Sequence, residues 1–387
     1  MLIESIQLRN FLSFGESADP VPLAALNLVI GPNGSGKSNL LEAIALLRDA
    51  PEDLNRTIRD GGGIRDWLWK GSKVPVVASV EAVVRNPSGP QPLRYRLAFT
   101  EVGQKFEIVD ERIENSSALP NMPRPYFHYK FENGHGILNV RDVERRLQRE
   151  DIELGASILS QRRDPDQYPE ITYLGKIFGK FRLYREWSFG RYTLARLPQK
   201  ADLANDSLEE DCSNLGMVLN RLDRDPSVKA RLLELLKKLY DGIDGYHVQV
   251  DGGTVQVFFH EGTRTIPATR LSDGTLRYLC LLAILCNPNP PPVLCIEEPE
   301  LGLHPDVLPP LAELLVEASA RCQLIVTTHS DVLVDAMTHR PEVVLIAEKR
   351  ASGTVLRRLD GNQLKPWLEK YRLGALWTRG DIGGTRW

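Results

Sequence analysis

Residues 31–38 read Gly-Pro-Asn-Gly-Ser-Gly-Lys-Ser, which fits the spacing G-x-x-x-x-G-K-[ST]. These are the residue types that a loop needs to wrap an anion. Gly31, Gly34 and Gly36 let the backbone curl until several N–H groups point at one centre. Lys37 brings a cation for β- and γ-phosphates, and Ser38 brings a hydroxyl oxygen for Mg²⁺. Pro32, Asn33, Ser35 and Asn39 complete the stretch expected to line a polyphosphate. The context is the required one. A short apolar strand, LNLVI, precedes the loop. The run LLEAIALLR follows, apolar at 40, 43, 44 and 47, as one face of a helix. Such a helix presents its N-terminus to the phosphates. An ordinary glycine-rich turn lacks both neighbours.

A second group stands at residues 293–300, Val-Leu-Cys-Ile-Glu-Glu-Pro-Glu. An apolar strand ending in two acids is the other half of a P-loop NTPase site. Glu297 is expected to hold the Mg²⁺ shell, through water, since a glutamate is longer than the usual aspartate. Glu298 is placed to orient or deprotonate an attacking water. Thirty-one residues after Glu298, the apolar run LIVTT ends in His329 and Ser330. A histidine at the C-terminal end of a parallel strand lies where ligands bind in open α/β sheets. Its imidazole could meet a γ-phosphate or the water; packing or capping is the other reading. His304, in ELGLHP, is expected to shape the loop after the acids.

The elements that must position these groups are legible as periods. Residues 1–30 read as strands. VPVVASVEAVV, LRYRLAF, KFEIVDERI and YFHYKF are β-branched and aromatic, partly alternating, with Gly, Pro and Asn between them; they predict an antiparallel sheet of hairpins over about 74–140. RDVERRLQRE, residues 141–150, reads as a charged, solvated helix. Two helices are expected within 206–240, and a hairpin turning near Asp251 and Gly252. Helix (275–286), strand (293–297), helix (307–319) and strand (323–327) then alternate, and VVLI begins another strand at Val343. That alternation predicts a parallel sheet with covering helices. The fold class is α/β, with a nucleotide fold split in sequence around an antiparallel β-subdomain and a helical lobe. The divisions expected are 1–200, 201–290, 291–350 and a tail, 351–387.

One more segment gains meaning from its position. Leu271-Ser272-Asp273-Gly274-Thr275 precedes a helix, 22 residues before the acid-bearing strand. Alone it reads as a helix cap. In place it resembles the ABC signature, usually LSGGQ, from which Asp273 and Thr275 depart. The set NFLSFG (10–15), GPNGSGKSN (31–39), LSDGT (271–275), CIEEPELGLHP (295–305) and TTHS (327–330) resembles the ABC-class ATPases of the RecF/SMC type. It also resembles stand-alone AAA/ABC ATPases related to the ATPase half of OLD-family antiphage proteins. The resemblance implies ATP and Mg²⁺ as ligands. It implies that Gln161, in ILSQRR, senses Mg²⁺ and the γ-phosphate. Ser272 and Gly274 would touch the γ-phosphate held by a second copy, and Leu301 and Gly302 would sit in a loop crossing that interface. Arg59 or Arg65 could add a phosphate contact. A homodimer closing on two nucleotides follows, because each phosphate loop faces the other copy's signature helix.

Composition narrows the biology. Net charge is −3 over 387 residues, so no global basic signature announces nucleic acid. Any DNA contact would use a local patch, with Arg141, Arg145, Arg146, Arg149, Arg162 and Arg163 as the candidates. Five cysteines without a CxxC read as buried thiols in a reducing compartment. No apolar run is long enough for a bilayer and no signal peptide is evident, so the cytoplasm is expected. No heptad run reaches three or four repeats, so no coiled-coil arm is expected. The residues after TTHS hold no acid cluster of a nuclease. The tail, with Trp377, Trp387 and four glycines, reads as a docked segment or as a partner-binding peptide. The expected function is ATP hydrolysis in DNA maintenance or antiphage defence, gating DNA or an effector. The alternative is a slow regulatory switch for a separately encoded effector nuclease.

Overall fold

The computed structural model describes every residue except 73–75, 119, 121, 133, 141–142, 148–152 and 385–387. Its centre is a six-stranded sheet. In spatial order the strands are Arg182–Tyr184, Val293–Glu297, Gln323–Thr327, Leu26–Ile30, Val344–Arg350 and Gly353–Arg358. The first five run parallel and the last pairs antiparallel. Leu26–Ile30 and Gln323–Thr327 are buried at every position. Strands covered on both faces carry continuous apolar runs for that reason. The strand before the phosphate loop therefore lies beside the strand before His329, and the acid-bearing strand lies one further along.

The second sheet is antiparallel and eight-stranded, in the order Val21–Pro22, Ile3–Arg9, Ala78–Val84, Leu93–Val102, Lys105–Asn115, Phe127–Glu132, His135–Val140, Val143–Arg146. The hairpins expected over 74–140 are its body, and the N-terminal strand joins them. One expectation fails here. Val143–Arg146, read as helical from its charge, is the edge strand of this sheet, pairing with His135–Val140. Composition alone misleads there, because pairing to a neighbouring strand overrides the propensity of a short charged run.

A third sheet holds Gln199–Lys200, Thr254–Glu261, Gly245–Asp251 and Arg264–Pro267. It packs with the helices Leu215–Leu222 and Pro226–Leu239 into the helical lobe. Asp225 caps the second of these, accepting from Ser227 N and Val228 N. The helix Asp273–Leu285 runs through this lobe, and every residue from Leu276 to Leu285 is buried. A helix buried all round is largely apolar; the exception, Arg277, donates to Glu298 O at 3.0 Å. Among the described residues no helix is long and apolar enough to cross a membrane. The longest, Pro226–Leu239, has 14 residues.

The last segment is docked. Leu373, Leu376, Trp377 and Ile382 are buried. The Trp377 indole donates to Gly384 O at 3.0 Å, and Arg357 donates to Ile382 O at 2.8 Å. Of the two readings of the tail, packing holds through Gly384; Trp387 lies outside the described residues.

Candidate functional site: a phosphate loop facing a carboxylate pair

The loop turns on three glycines with positive φ: Gly31 at 150°, Gly34 at 75° and Gly36 at 101°. Gly36 is the N-cap of the helix Lys37–Asp49. That helix buries Leu40, Leu41, Ile44 and Leu47, which fixes where its N-terminus points. A Cβ at Gly31 would come within 2.4 Å of Ala347 O, and one at Gly36 within 2.4 Å of Thr354 Oγ1. Sterics therefore require glycine at both positions, as well as the backbone angle. The Lys37 ammonium is buried and donates to Gly31 O at 2.8 Å and Pro32 O at 3.2 Å. Burial lowers its pKa, opposed by the charges of Glu298, Glu297 and Glu300.

Ser38 donates to Glu297 Oε1 across 259 positions of sequence. The hydroxyl and the carboxylate thus converge as two hard oxygens, the donor type that Mg²⁺ takes. The residues present fit that ion. Glu297 is also held from the far side. Arg185 Nε lies 3.1 Å from Glu297 Oε2, while its guanidinium reaches Glu42 at 2.8 Å. The Trp187 indole donates to Glu297 O at 2.9 Å.

Glu298 stands at φ 46°, in the left-handed region. A non-glycine residue there costs of order 1–3 kcal/mol and is held by its surroundings. Glu298 N donates to Thr327 O at 3.0 Å, and Glu298 O accepts from Arg277 at 3.0 Å. The turn leaves the Glu298 carboxylate 3.5 Å from His329 Nε2. A carboxylate and an imidazole at that separation can share the work of holding and polarising one water.

Glu300 was not singled out in the sequence, although it stands in the same EEPE run. Its Oε1 accepts from Thr328 Oγ1 and from His329 N, both at 2.7 Å. It therefore ties the strand end that carries the histidine to the loop that carries the acids. Ser13 and Thr354 also escaped notice. Thr354 Oγ1 bonds Ser35 O at 2.8 Å and Ser13 Oγ at 2.7 Å, and Asn39 donates to Ser13 at 2.6 Å. These hydroxyls brace the phosphate loop from behind. A local signal existed only for Ser13, in NFLSFG; Thr354 arrives from the far end of the chain.

The other expected residues fall as follows. Gln161 does not reach the cluster. Its carboxamide closes its own loop, donating to Ala156 O at 2.8 Å and accepting from Glu153 N at 3.2 Å. The physical cause is an anchor on the antiparallel sheet: buried Glu111 accepts from Ser157 Oγ, from Ile158 N at 2.9 Å and from Tyr95 at 2.9 Å. The side chain beside Glu297 is Arg185 instead. Arg65 pairs with Glu101 at 2.9 Å and Arg59 donates to Asn55 O at 3.1 Å, so neither turns to the phosphate loop. His304 caps the turn Pro305–Val307, accepting from Asp306 N at 3.3 Å. Ser272 caps the helix Asp273–Leu285, and both Ser272 and Asp273 are exposed. A Cβ on Gly274 would lie 2.7 Å from Gly302 O, so the LSDGT turn and the ELGL loop touch. Leu301 of that loop is exposed. The five thiols are free and buried. Burial raises Cys286 to about 12 and Cys322 to about 11, which leaves both inert as nucleophiles.

A groove of about 1140 Å³ opens next to the cluster, between the phosphate-loop helix and residues 185–194. It shares Glu42, Arg185 and Trp187 with the surroundings of Glu297, and the phosphate loop itself does not line it.

The fold has counterparts among solved structures. The structure of the Smc head bound to the C-winged helix domain of ScpA matches with TM-score 0.60 at 17% identity, over 95% of this chain and 100% of that one. The Smc head with an extended coiled coil from Pyrococcus furiosus, bound to the C-terminal domain of ScpA, matches with TM-score 0.56 at 16% identity, over 96% and 99%. At such identities the likeness is one of fold. In sequence, the chromosome partition protein Smc of Mycobacterium tuberculosis is 32% identical over 184 residues, 42% of this chain and 14% of that protein. Structural maintenance of chromosomes protein 5 of Arabidopsis thaliana is 47% identical over 64 residues, 16% and 6% of the two chains. The chain thus spans a small fraction of the length of these relatives, and none of them is an OLD-family protein. Fold and motifs together are those of an ATP-binding ATPase of the AAA/SMC-head type. The family model described as "AAA domain, putative AbiEii toxin, Type IV TA system" matches residues 26–335, from the strand before the phosphate loop through the helix after His329, and the chain belongs to that family.

Proposed function

We propose that the protein hydrolyses ATP and works as a homodimer that closes around two nucleotides. One observation carries the catalytic half of the reading. Ser38, Glu297, Glu298 and His329 come together at the C-terminal ends of three adjacent parallel strands. Lys37 and the loop N–H groups bind the β- and γ-phosphates. Ser38, and Glu297 through water, would hold Mg²⁺, which would neutralise charge on the phosphates. Glu298 takes the proton of the attacking water, and His329 orients that water or the γ-phosphate. Arg185, paired with Glu42 and Glu297, holds the Glu297 carboxylate in place beside Ser38.

The dimer half is supported by surface. Ser272 and Asp273 of the LSDGT turn are exposed, and Gly274 of the same turn touches the ELGL loop, whose Leu301 is half exposed. These are the groups that a second copy's γ-phosphate would meet. ATP then joins the copies and hydrolysis loosens them, a ligand-driven shift between open and closed states. The names of the Smc relatives, chromosome partition proteins, favour a role in DNA maintenance, and the toxin–antitoxin description of the family favours a defence role, with closure gating DNA or a separately encoded effector.

Removing a general base costs ~10²–10⁴ in rate. Glu298→Gln is therefore expected to bind ATP, lose phosphate release by that factor and accumulate as a dimer in ATP–Mg²⁺ by light scattering. Normal hydrolysis by this variant would refute the assignment of Glu298. Loss of hydrolysis with a mass indifferent to ATP would remove the closing dimer. For DNA, stimulation of hydrolysis and salt-sensitive binding are expected; unchanged rates with every DNA form and no binding at low salt would exclude it.

A further inference from the structure

We propose that Arg196 is a positioning residue for the nucleotide bound by the other copy of the dimer. The proposal rests on the dimer reading above. Its starting point is the departure of LSDGT from LSGGQ. Asp273 puts a carboxylate in the first turn of a 13-residue helix, beside Ser272 and Gly274. A carboxylate suits a helix N-terminus. It does not suit an N-terminus that has to receive a γ-phosphate, because two anions would then meet at contact distance.

Arg196 resolves that conflict. Its guanidinium pairs with Asp273 Oδ1 through Nη2 and donates to Leu271 O through Nη1. Its Nε donates to Gly190 O at 3.0 Å. The Arg196 side chain is 7% exposed, while that of Asp273 is 58% exposed. The cation is thus built into the body and the acid is presented at the surface. A planar fork of this kind fixes both direction and charge. It neutralises Asp273, and it holds the carbonyl just before Ser272. Ser272 is left to cap the helix, its hydroxyl accepting from Thr275 N at 3.1 Å and lying 2.8 Å from Thr275 Oγ1, on a residue that stays exposed.

The segment that carries Arg196 leads back to the catalytic strand of its own copy. Tyr184, Trp187 and Phe189 stack in series with ring centroids 6.0 Å apart, and Trp187 bonds Glu297 O. A mutation at Arg196 could therefore act on its own copy's site or on the other copy's. The proposal says the other, and a mixing experiment separates the two.

Three variants are made: Arg196→Gln, Ser272→Arg and Glu298→Gln. Each alone is expected to lose most phosphate release. Mixing Ser272→Arg with Glu298→Gln builds some dimers in which one site has an intact acid from one copy and an intact turn from the other. With random pairing and independent sites, recovery is about a quarter of the wild-type rate. Arg196→Gln mixed with Glu298→Gln is expected to recover equally. If the Ser272 mixture recovers and the Arg196 mixture does not, the Arg196 defect lies in its own copy and the proposal falls. If neither recovers, the dimer reading itself fails and takes the proposal with it. Wild-type hydrolysis by Arg196→Gln also overturns it. The charge argument has its own check, usable if Arg196→Gln alone folds poorly. Asp273→Gly in the Arg196→Gln background removes the anion and is expected to restore hydrolysis at least several-fold over Arg196→Gln. No gain would refute neutralisation as the role of Arg196.

Discussion

Thr354→Val removes one hydroxyl and keeps the shape of the side chain. In the wild type that hydroxyl bonds Ser35 O at 2.8 Å, inside the phosphate loop, and Ser13 Oγ at 2.7 Å. Thr354 is buried, so water does not replace the lost partner. A net hydrogen bond is worth about 1 kcal/mol, and an orphaned buried acceptor costs about 1–3 kcal/mol. The variant should lose roughly 2 kcal/mol of stability on that basis. Only part of this reaches the ligand, because ATP itself re-imposes the loop conformation. If half does, the dissociation constant for ATP rises about fivefold, since 1.4 kcal/mol is tenfold. Thr354→Ser keeps the hydroxyl and should stay near wild type. The assay is titration with a fluorescent ATP analogue alongside chemical denaturation of the three proteins. If the valine variant matches the serine variant in both affinity and stability, the brace carries no load and the reasoning is refuted.

Two further outcomes follow from carboxylates that anchor neighbouring segments. Glu300→Ala leaves His329 N and Thr328 Oγ1 without the acceptor they share, so about 1–3 kcal/mol of stability is lost. Phosphate release should fall with ATP affinity nearly unchanged; loss of affinity with normal turnover would contradict the anchoring of His329. Glu111 is wholly buried, and burial raises its carboxyl to about 7 despite the bonds from Ser157, Ile158 and Tyr95. Its folded pKa lies above the ordinary value. The stability it contributes is therefore full below about pH 4.5 and is lost as pH rises through about 7, a change of order 3 kcal/mol. Glu111→Gln mimics the protonated form and should flatten that part of the stability–pH curve in urea titrations. An unchanged slope between pH 5 and pH 7.5 would exclude Glu111 as its source.

The sequence by itself named the groups from which the proposed chemistry is built. Phosphate loops need contiguous glycines, a lysine and a hydroxyl, so 31–38 is legible as a string. The acids and His329 are legible because each ends a run of apolar residues, and a strand covered on both faces has no other way to be written. The strands Val293–Glu297 and Gln323–Thr327 fall on the residues that the pattern named. Tertiary structure decided the company these residues keep. The order of the central sheet inserts Leu26–Ile30 between Gln323–Thr327 and Val344–Arg350, which brings Ser38 to Glu297 and Thr354 to Ser35. The sheet anchor through Glu111 turned Gln161 onto its own loop and left the place beside Glu297 to Arg185. Pairing drew Val143–Arg146 out of the expected helix and into a strand. The pair of Arg196 with Asp273 spans 77 positions. None of these contacts has a local signature, because a hydrogen bond or a strand pairing depends on which surfaces meet after the chain has closed on itself, and neighbours in sequence do not encode that.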